Sequence, residues 1–276
     1  MVNKIKISAF ILLFACFSSF LSAMDIKKEV VAAVPEDLVS KLIGLRVYKN
    51  QAFVMASNGK YITVDLSNGK ITSSRAKIAK VIDYDVAAGK IVCLDEQGKI
   101  SGYPLGKLGE KTYDSCRIET CDQGVILSGG DNSYFLPQKG KAPSELKGIV
   151  MPLPIYNGFL WAMSLNKERC WELNLHDCFG NFMDKVYKFS NGFEPSNLEI
   201  GPAGIDGDLL VSAKENKVRK IALIGRNGRM FWKINGPAKI CSRDLAFGPL
   251  GELLVLEKNP EGKIILSRWT FTTPQG

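Results

Sequence analysis

The chain has 276 residues, of which 46% are hydrophobic and 9% aromatic, enough to bury a core as one all-β domain or two smaller domains. Its 36 Lys and Arg exceed its 28 Asp and Glu, giving a net charge of +8. The lysines are scattered through turns and alternate with acids, whereas nucleic-acid binding needs a clustered basic stripe with stacking aromatic side chains. The composition therefore argues against a nucleic-acid partner.

Residues 1–23 have the three-part pattern of a secretory signal peptide. Lys4 and Lys6 give a basic start, residues 7–17 are apolar, and residues 22–23 are small. The apolar run is shorter than the roughly 20 residues that a transmembrane helix needs. The pattern predicts export, so the mature chain is expected to be extracytoplasmic, either periplasmic or secreted. Cleavage after residue 23 would remove two lysines and no acidic residue, which lowers the net charge from +8 to +6.

The same segment has a second interpretation. Residues 13–16 resemble the bacterial lipobox, in which the cysteine becomes the lipidated first residue, here Cys16. On this alternative the protein is a membrane-anchored lipoprotein, and lipidation is its one expected link to a membrane.

Six cysteines remain after cleavage out of the seven in the chain. An even number in an exported chain permits disulfides. Cys170 and Cys178 flank one strand and its turn and are the candidate pair. A zinc site is not expected, because the chain has no C-x-x-C motif and His176 is its only histidine.

A repeat of about 40 residues follows the N-terminal segment 24–40 and fills residues 41–276. Hairpin turns mark it at residues 50–51, 88–89, 123–124, 157–158, 206–207 and 250–251, with intervals of 38, 35, 34, 49 and 44 residues. Each turn precedes a buried apolar run, a second turn and an alternating strand. This period predicts an all-β fold, a six-bladed β-propeller of four-stranded antiparallel blades.

The sixth repeat ends after three strands, which would leave an exposed sheet edge. We therefore expect residues 29–34 to supply its outer strand and close the last blade. The alternatives are a disordered linker over residues 24–40 and a short helix around residues 36–42.

The last two repeats have the clearest sequence motifs. Residues 198–223 run through Gly-Pro, Asp-Gly and Leu-Leu-Val, and residues 245–266 through Gly-Pro-Leu-Gly-Glu-Leu-Leu-Val. Over residues 198–266 the chain resembles the repeats of NHL and YWTD proteins. The resemblance implies a six-bladed propeller and no activity, since such folds host many unrelated functions. Taken with the predicted export, the function expected of the chain is a ligand-binding, protein-binding or scaffolding module of the cell envelope, with another protein or an envelope component as partner.

Polar residues alternate with apolar ones on the predicted innermost strands, so they are expected to line the central channel. The channel residues expected on this basis are Arg46, Asp83, Asp85, Arg117, Glu119, Asn197, Glu199 and Asp244. A mixed ring of charges around channel water is the simpler interpretation.

An enzyme is the alternative function. Carboxylate and amide oxygens suit a divalent metal such as calcium, and Asp83, Asn197 and Asp244 would be its ligands. Similarity to the six-bladed, regucalcin-like lactonases would make this a metal-dependent hydrolase, with Glu119 or Glu199 activating water.

The fourth repeat has the longest outer segment and the richest aromatic content, and long loops in compact domains are often functional. A partner is therefore expected to dock near residues 176–197. The candidate contact residues are Trp171, His176, Phe179, Phe182 and Phe193, with His176 expected in an exposed turn.

Overall fold

The computed structural model describes residues 25–39, 41–78, 80–105, 115–121, 123–129, 132–138, 142–153, 159–201 and 208–272. The predicted signal peptide, residues 1–23 with Cys16, and the expected turns at 157–158 and 206–207 lie outside these residues. The strands in chain order are β1 (Asp25–Ala33), β2 (Leu42–Tyr48), β3 (Gln51–Ala56), β4 (Lys60–Asp65), β5 (Ile71–Arg75), β6 (Val81–Ala87), β7 (Lys90–Asp95), β8 (Ile100–Ser101), β9 (Arg117–Cys121), β10 (Gly124–Gly129), β11 (Asn132–Pro137), β12 (Ser144–Lys147), β13 (Met151–Pro152), β14 (Phe159–Leu165), β15 (Trp171–Asp177), β16 (Phe182–Lys188), β17 (Phe193–Ile200), β18 (Leu209–Glu215), β19 (Val218–Ile224), β20 (Met230–Asn235), β21 (Leu245–Phe247), β22 (Leu253–Lys258) and β23 (Ile264–Thr272).

Within the described residues these strands form six antiparallel sheets, which are the blades of a six-bladed β-propeller. Blade one contains β2–β5, blade two β6–β8, blade three β9–β12, blade four β13–β16 and blade five β17–β20. Blade six contains β21–β23 and β1. The all-β, six-bladed fold expected from the repeat is thereby confirmed.

The first strand of each blade lies at its inner end, and neighbouring inner strands meet around the channel. Strand β2 contacts both β6 and β21, so blade one touches blade two on one side and blade six on the other. Gly44 on β2 forms a parallel bridge with Arg243, and the amide of Leu45 donates to the Arg243 carbonyl at 2.7 Å. These bonds join the first blade to the last.

The fourth strand of blade six comes from the N-terminal part of the chain. Strand β1 pairs antiparallel with β23, from Asp25 opposite Thr272 to Ala33 opposite Ile265. The strand begins four residues earlier than the segment expected from the sequence. It is followed directly by the single-turn helix α1 (Glu36–Val39), whose Leu38 is buried. Both a strand and a short helix therefore occur in this segment.

The core consists of apolar layers between blades. One layer joins blade six, β1, α1 and blade one, and its buried side chains include Ala32, Leu38, Leu45, Val54, Leu254 and Leu266. A second layer packs blade four against blade five through Trp161, Leu173, Phe189, Phe193, Leu198 and Val211. No helix in the described part of the chain has the length and apolar character needed to cross a membrane.

One glycine allows the backbones of blades four and five to approach each other closely. Gly228, in the turn between β19 and β20, has a φ of +77°, and a Cβ there would lie 2.2 Å from the carbonyl oxygen of Val186 on β16. A residue with a side chain would be strained at this φ and would also collide with the neighbouring blade. The turn of blade five therefore lies directly against the outer strand of blade four.

Candidate functional site: a channel ion-pair network and an aromatic edge

Alternation on the inner strands directs polar side chains toward the channel. Asp83 and Asp85 flank the buried Tyr84 on β6, and Arg117 and Glu119 flank the buried Ile118 on β9. The two faces of each strand therefore separate, with apolar residues between blades and charged residues in the centre.

Arg46 on β2 is the hub of the network and is only 5% exposed. Its Nε donates to the carbonyl of Tyr84 at 3.2 Å and lies 3.1 Å from Oδ1 of Asp85. Its Nη1 lies 3.5 Å from Glu199, and its Nη2 lies 3.7 Å from Glu119. Arg46 thus connects carboxylates from blades two, three and five.

The acidic and amide groups have further partners in the channel. The Thr120 amide and hydroxyl both donate to Oδ2 of Asp85, at 2.6 and 2.7 Å. Arg117 donates to the side-chain oxygen of Asn197 at 3.0 Å, and Asn197 donates to Glu199 at 3.1 Å. The structure therefore brings together Arg46, Asp83, Asp85, Arg117, Glu119, Asn197 and Glu199.

Arg243, just before β21, also belongs to the network but was missed by the sequence analysis. Its guanidinium is fully buried and donates to Asp83 at 2.6 Å, to the carboxylate of Glu119 and to the carbonyl of Ile118 at 3.1 Å. In the sequence Ser-Arg-Asp at 242–244, the alternating pattern predicts that Asp244 faces the channel, whereas the residue that faces it is Arg243, one position earlier.

The expectation for Asp244 was consequently wrong. Its carboxylate accepts two bonds from Arg219 on β19, at 2.8 and 2.5 Å, and one from the amide of Ile240 at 2.8 Å. Asp244 is therefore occupied in joining blade six to blade five.

The expected metal ligands do not assemble. Asp83 is paired with Arg243, Asn197 with Arg117 and Asp244 with Arg219. A divalent cation would have to displace or approach a guanidinium group at each position, so these residues do not fit one. In the part of the chain that the structure describes, no group of three or more His, Cys, Asp or Glu side chains is arranged to hold a metal ion. The lactonase alternative has no support from this geometry.

The network contains four carboxylates, Asp83, Asp85, Glu119 and Glu199, and three guanidinium groups, Arg46, Arg117 and Arg243. It therefore carries one excess negative charge when all are ionised. Burial raises the pKa of Glu119 well above its usual range, raises that of Glu199, and raises that of Asp83 to about 6. The desolvation of the charged form is the main cause in each case.

A cavity of about 210 Å³ opens at the C-terminal ends of the inner strands. Its charged wall is formed by Arg46, Asp85, Glu119 and Glu199. Its remaining lining is Val47, Val86, Thr120, Leu153, Ala246 and Phe247. The cavity therefore places the network in contact with solvent and with any small ligand that enters.

A second candidate surface lies on the outer edge of blade four. Phe179 is 69% exposed in the turn before β16, and Phe182 and Met183 at the start of β16 are 60% and 51% exposed. We call these three residues the blade-four aromatic edge. Two other candidates pack into the blade four–five layer. Phe193 is buried and stacks on Phe189 at 4.0 Å between ring centroids, and Trp171 is half-buried against the same cluster.

His176 was expected in an exposed turn, and this was wrong. It lies on β15 and is buried, with Nδ1 3.2 Å from the carbonyl oxygen of Gly180 and its ring edge-on to Phe182. Because a carbonyl only accepts, Nδ1 carries the proton. Burial lowers the pKa of the imidazole. His176 therefore supports the turn that presents the aromatic edge.

The expected pair of cysteines is not a disulfide. Cys170 and Cys178 are both free thiols, and they sit at opposite ends of the seven-residue strand β15. At about 3.3 Å per residue the two ends of the strand are roughly 20 Å apart, and a cysteine lies just beyond each end, far outside disulfide reach. The thiol of Cys170 instead donates to the side-chain oxygen of Asn191 at 2.8 Å.

No protein-family model matches the chain. No curated protein matches it either. Solved structures do resemble it. The β-propeller domain of Cps50 (Swd1) from Myceliophteria thermophila aligns with a TM-score of 0.55 at 10% identity, covering 89% of this chain and 100% of that one. The WD40 β-propeller domain of Doa1 aligns with a TM-score of 0.52 at 11% identity, covering 90% of this chain and 98% of that one.

Hydrazine synthase from Kuenenia stuttgartiensis aligns with a TM-score of 0.53 at 11% identity, covering 80% of this chain and 75% of that one. At such identities the likeness shows a β-propeller fold and nothing about activity. The narrower resemblance to NHL and YWTD repeats stays a prediction.

Proposed function

We propose that this protein is an exported binding module of the cell envelope that holds a partner protein through the blade-four aromatic edge. The observation that carries the proposal is the exposure of Phe179, Phe182 and Met183 together at one sheet edge. Large apolar side chains clustered on a surface are typical of protein interaction sites. Export is supported by the signal-like pattern of residues 1–23.

The geometry of the edge favours one kind of occupant, an extended segment of the partner. Strand β16 is the last strand in its sheet, so the edge of the sheet at Phe182 has no further strand beyond it among the described residues. The pairing of β16 with β15 shifts register here, with Phe182 opposite His176 and Asp184 opposite Leu175, so Met183 lies at a β-bulge beside Phe182. An extended segment added at this end of β16 would contact both side chains and would form main-chain hydrogen bonds with the sheet edge.

Charge contributes little to this surface. Lys185 and Lys188 on β16 are paired with Glu172 and Glu168 at 3.6 and 2.6 Å, so the strand presents no unpaired cluster of one sign. Burial of apolar area is then the main source of affinity, and the partner segment should present apolar side chains.

Photo-crosslinking in the native cells tests the proposal. The full chain would carry a benzophenone amino acid at Phe182, with the same label at Phe231 as the matched control, because Phe231 is 47% exposed on the outer strand of blade five. We expect one discrete crosslinked protein from position 182, none from position 231, and loss of the product in Met183→Lys.

Equal labelling at both positions, or labelling that survives Met183→Lys, would show that the aromatic edge is not the docking site. Cell fractionation of the same strain tests export separately. Recovery of the intact chain with residues 1–23 in the cytoplasm would contradict the proposed location without bearing on the edge itself.

A further inference from the structure

Arg46 lines the cavity at the end of the channel and carries hydrogen-bond donors that the described residues do not satisfy. Nη1 and Nη2 of Arg46 are buried, and no described residue accepts a hydrogen bond from either. The nearest carboxylates, Glu199 and Glu119, lie 3.5 and 3.7 Å away, beyond good hydrogen-bonding distance. Buried donors are nearly always satisfied, so an acceptor is expected at this position.

The charge around the cavity calls for a cation as well. Asp85, Glu119 and Glu199 face the cavity and Arg46 is the single cation in its wall among the described residues. Arg117 and Arg243 approach Glu119 too, but the whole network still holds four carboxylates against three guanidinium groups. When all four carboxylates are ionised, a ligand with one positive charge would make the site neutral, whereas a simple anion would add to the excess. The same positive charge would favour the ionised form of Glu119 and Glu199, whose pKa values burial raises.

Size and lining limit the ligand further. A cavity of about 210 Å³ is smaller than the roughly 300–1,000 Å³ of pockets that enclose drug-sized molecules. Leu153, Val86 and Phe247 provide an apolar wall opposite the charged one. A ligand of a few heavy atoms with a short alkyl group fits these limits.

We propose that this cavity binds a small primary ammonium group with an oxygen acceptor two bonds from the carbon that bears it, as in an α-amino amide. The ammonium group binds Oε2 of Glu119 and Oε2 of Glu199, because the arginine and Asn197 contacts of these two carboxylates all fall on Oε1. The carbonyl oxygen accepts from the unsatisfied Nη atoms of Arg46, and the alkyl group packs on Leu153 and Phe247. A free amino compound and the first residue of a peptide share this chemistry. The site is separate from the blade-four aromatic edge and does not depend on it.

Calorimetric titration of the full chain with alaninamide tests the site. Three matched probes each lack one element: N-acetylalaninamide has no positive charge, propylamine has no acceptor, and propionate has no ammonium group. We expect saturable binding of alaninamide and about tenfold weaker binding of propylamine, because one charge-assisted hydrogen bond is lost. N-acetylalaninamide and propionate should not bind.

Two variants connect the binding to the network. Glu199→Gln removes the excess negative charge and keeps an amide oxygen that can accept the hydrogen bond from Asn197. We expect this variant to bind alaninamide about 10- to 100-fold more weakly than the native chain does. Glu215→Gln is the control, because Glu215 has a similarly buried side chain, paired with Lys233 on blade five. It should bind as the native chain does. Thermal unfolding of both variants confirms that they are folded.

A tripeptide amide, with and without an acetylated N-terminus, then distinguishes the two sources. Binding of the free tripeptide as tight as that of alaninamide identifies a peptide terminus, and binding of alaninamide alone identifies a free amine. Equal binding of alaninamide and its acetylated form, unchanged binding in Glu199→Gln, or no heat with any probe up to about 50 mM would overturn the proposal, since the cavity would then hold only water or an unrelated ion.

Discussion

Nη2 of Arg243 donates to the carboxylate of Asp83 at 2.6 Å across 160 positions of sequence. The bond joins the start of blade six to the inner strand of blade two, through the centre of the ring. Both side chains are almost completely buried. The closed ring is therefore held by a charged contact at its axis as well as by the apolar layers between blades.

Replacing Arg243 with Met should strongly destabilise the fold. The change leaves Asp83 and Glu119 without their closest cation, and removing one partner of a buried ion pair costs about 3–5 kcal/mol. Chemical denaturation of the native and variant chains measures the difference. The control is Lys188→Met, which removes an exposed partner of Glu168 and should change the free energy of unfolding far less. Equal losses in the two variants would mean that burial of the network contributes nothing.

Gly228→Ala should destabilise the packing of blade five on blade four. The new Cβ would lie 2.2 Å from the Val186 carbonyl oxygen at a φ of +77°. Gly251→Ala is a matched control, because Gly251 has a φ of +84° and a Cβ added there would meet no atom within 4 Å. The control should lose about 1–2 kcal/mol from the left-handed backbone alone, and Gly228→Ala should lose more. Equal unfolding midpoints would contradict the close approach of the two blades.

Acidification should destabilise the protein through His176. Burial lowers the pKa of its imidazole in the folded state below the usual 6.5, although the Gly180 carbonyl and nearby Asp177 oppose the shift. The unfolded state therefore binds the proton first as the pH falls. The stability that neutral His176 contributes is complete above pH 6.5 and is lost as the pH falls through the folded-state pKa.

Comparison of the native chain with His176→Gln isolates this effect. The variant has no titrating group at the position, so its unfolding midpoint should fall less than that of the native chain between about pH 7 and pH 5. Parallel pH profiles would show that His176 does not titrate differently in the two states. The same comparison by photo-crosslinking at Phe182 would report whether the turn before β16 loosens with protonation.

Much of the fold could be predicted from the sequence because its period is carried by local signals. Hairpin turns and apolar runs recur at nearly constant spacing, and alternation is reliable on long inner strands such as β6 and β17. For that reason the positions of Asp83, Asp85, Asn197 and Glu199 relative to their neighbours agree with the sequence analysis.

The errors have physical reasons of a different kind. Strand β21 has only three residues, too few for alternation to show which of its neighbours faces the channel. Asp244 was therefore predicted to face the channel in place of Arg243. The burial of Phe193 depends on packing between blades, which no local pattern reports. Phe179 and Phe182, which the sequence analysis named as candidate contact residues, are exposed because β16 is the outermost strand of its blade.

The pairing of β1 with β23 has a consequence for how the molecule is made. Strand β1 is synthesised before every other described strand and its partner β23 is the last of them, so β1 must remain without that partner until the other described blades have been made. Contacts so distant in sequence form slowly, and an unpaired strand is prone to join other chains meanwhile. If the chain is exported in an extended form, as we propose, this delay becomes an advantage, because the ring could not close before blade six had crossed the membrane.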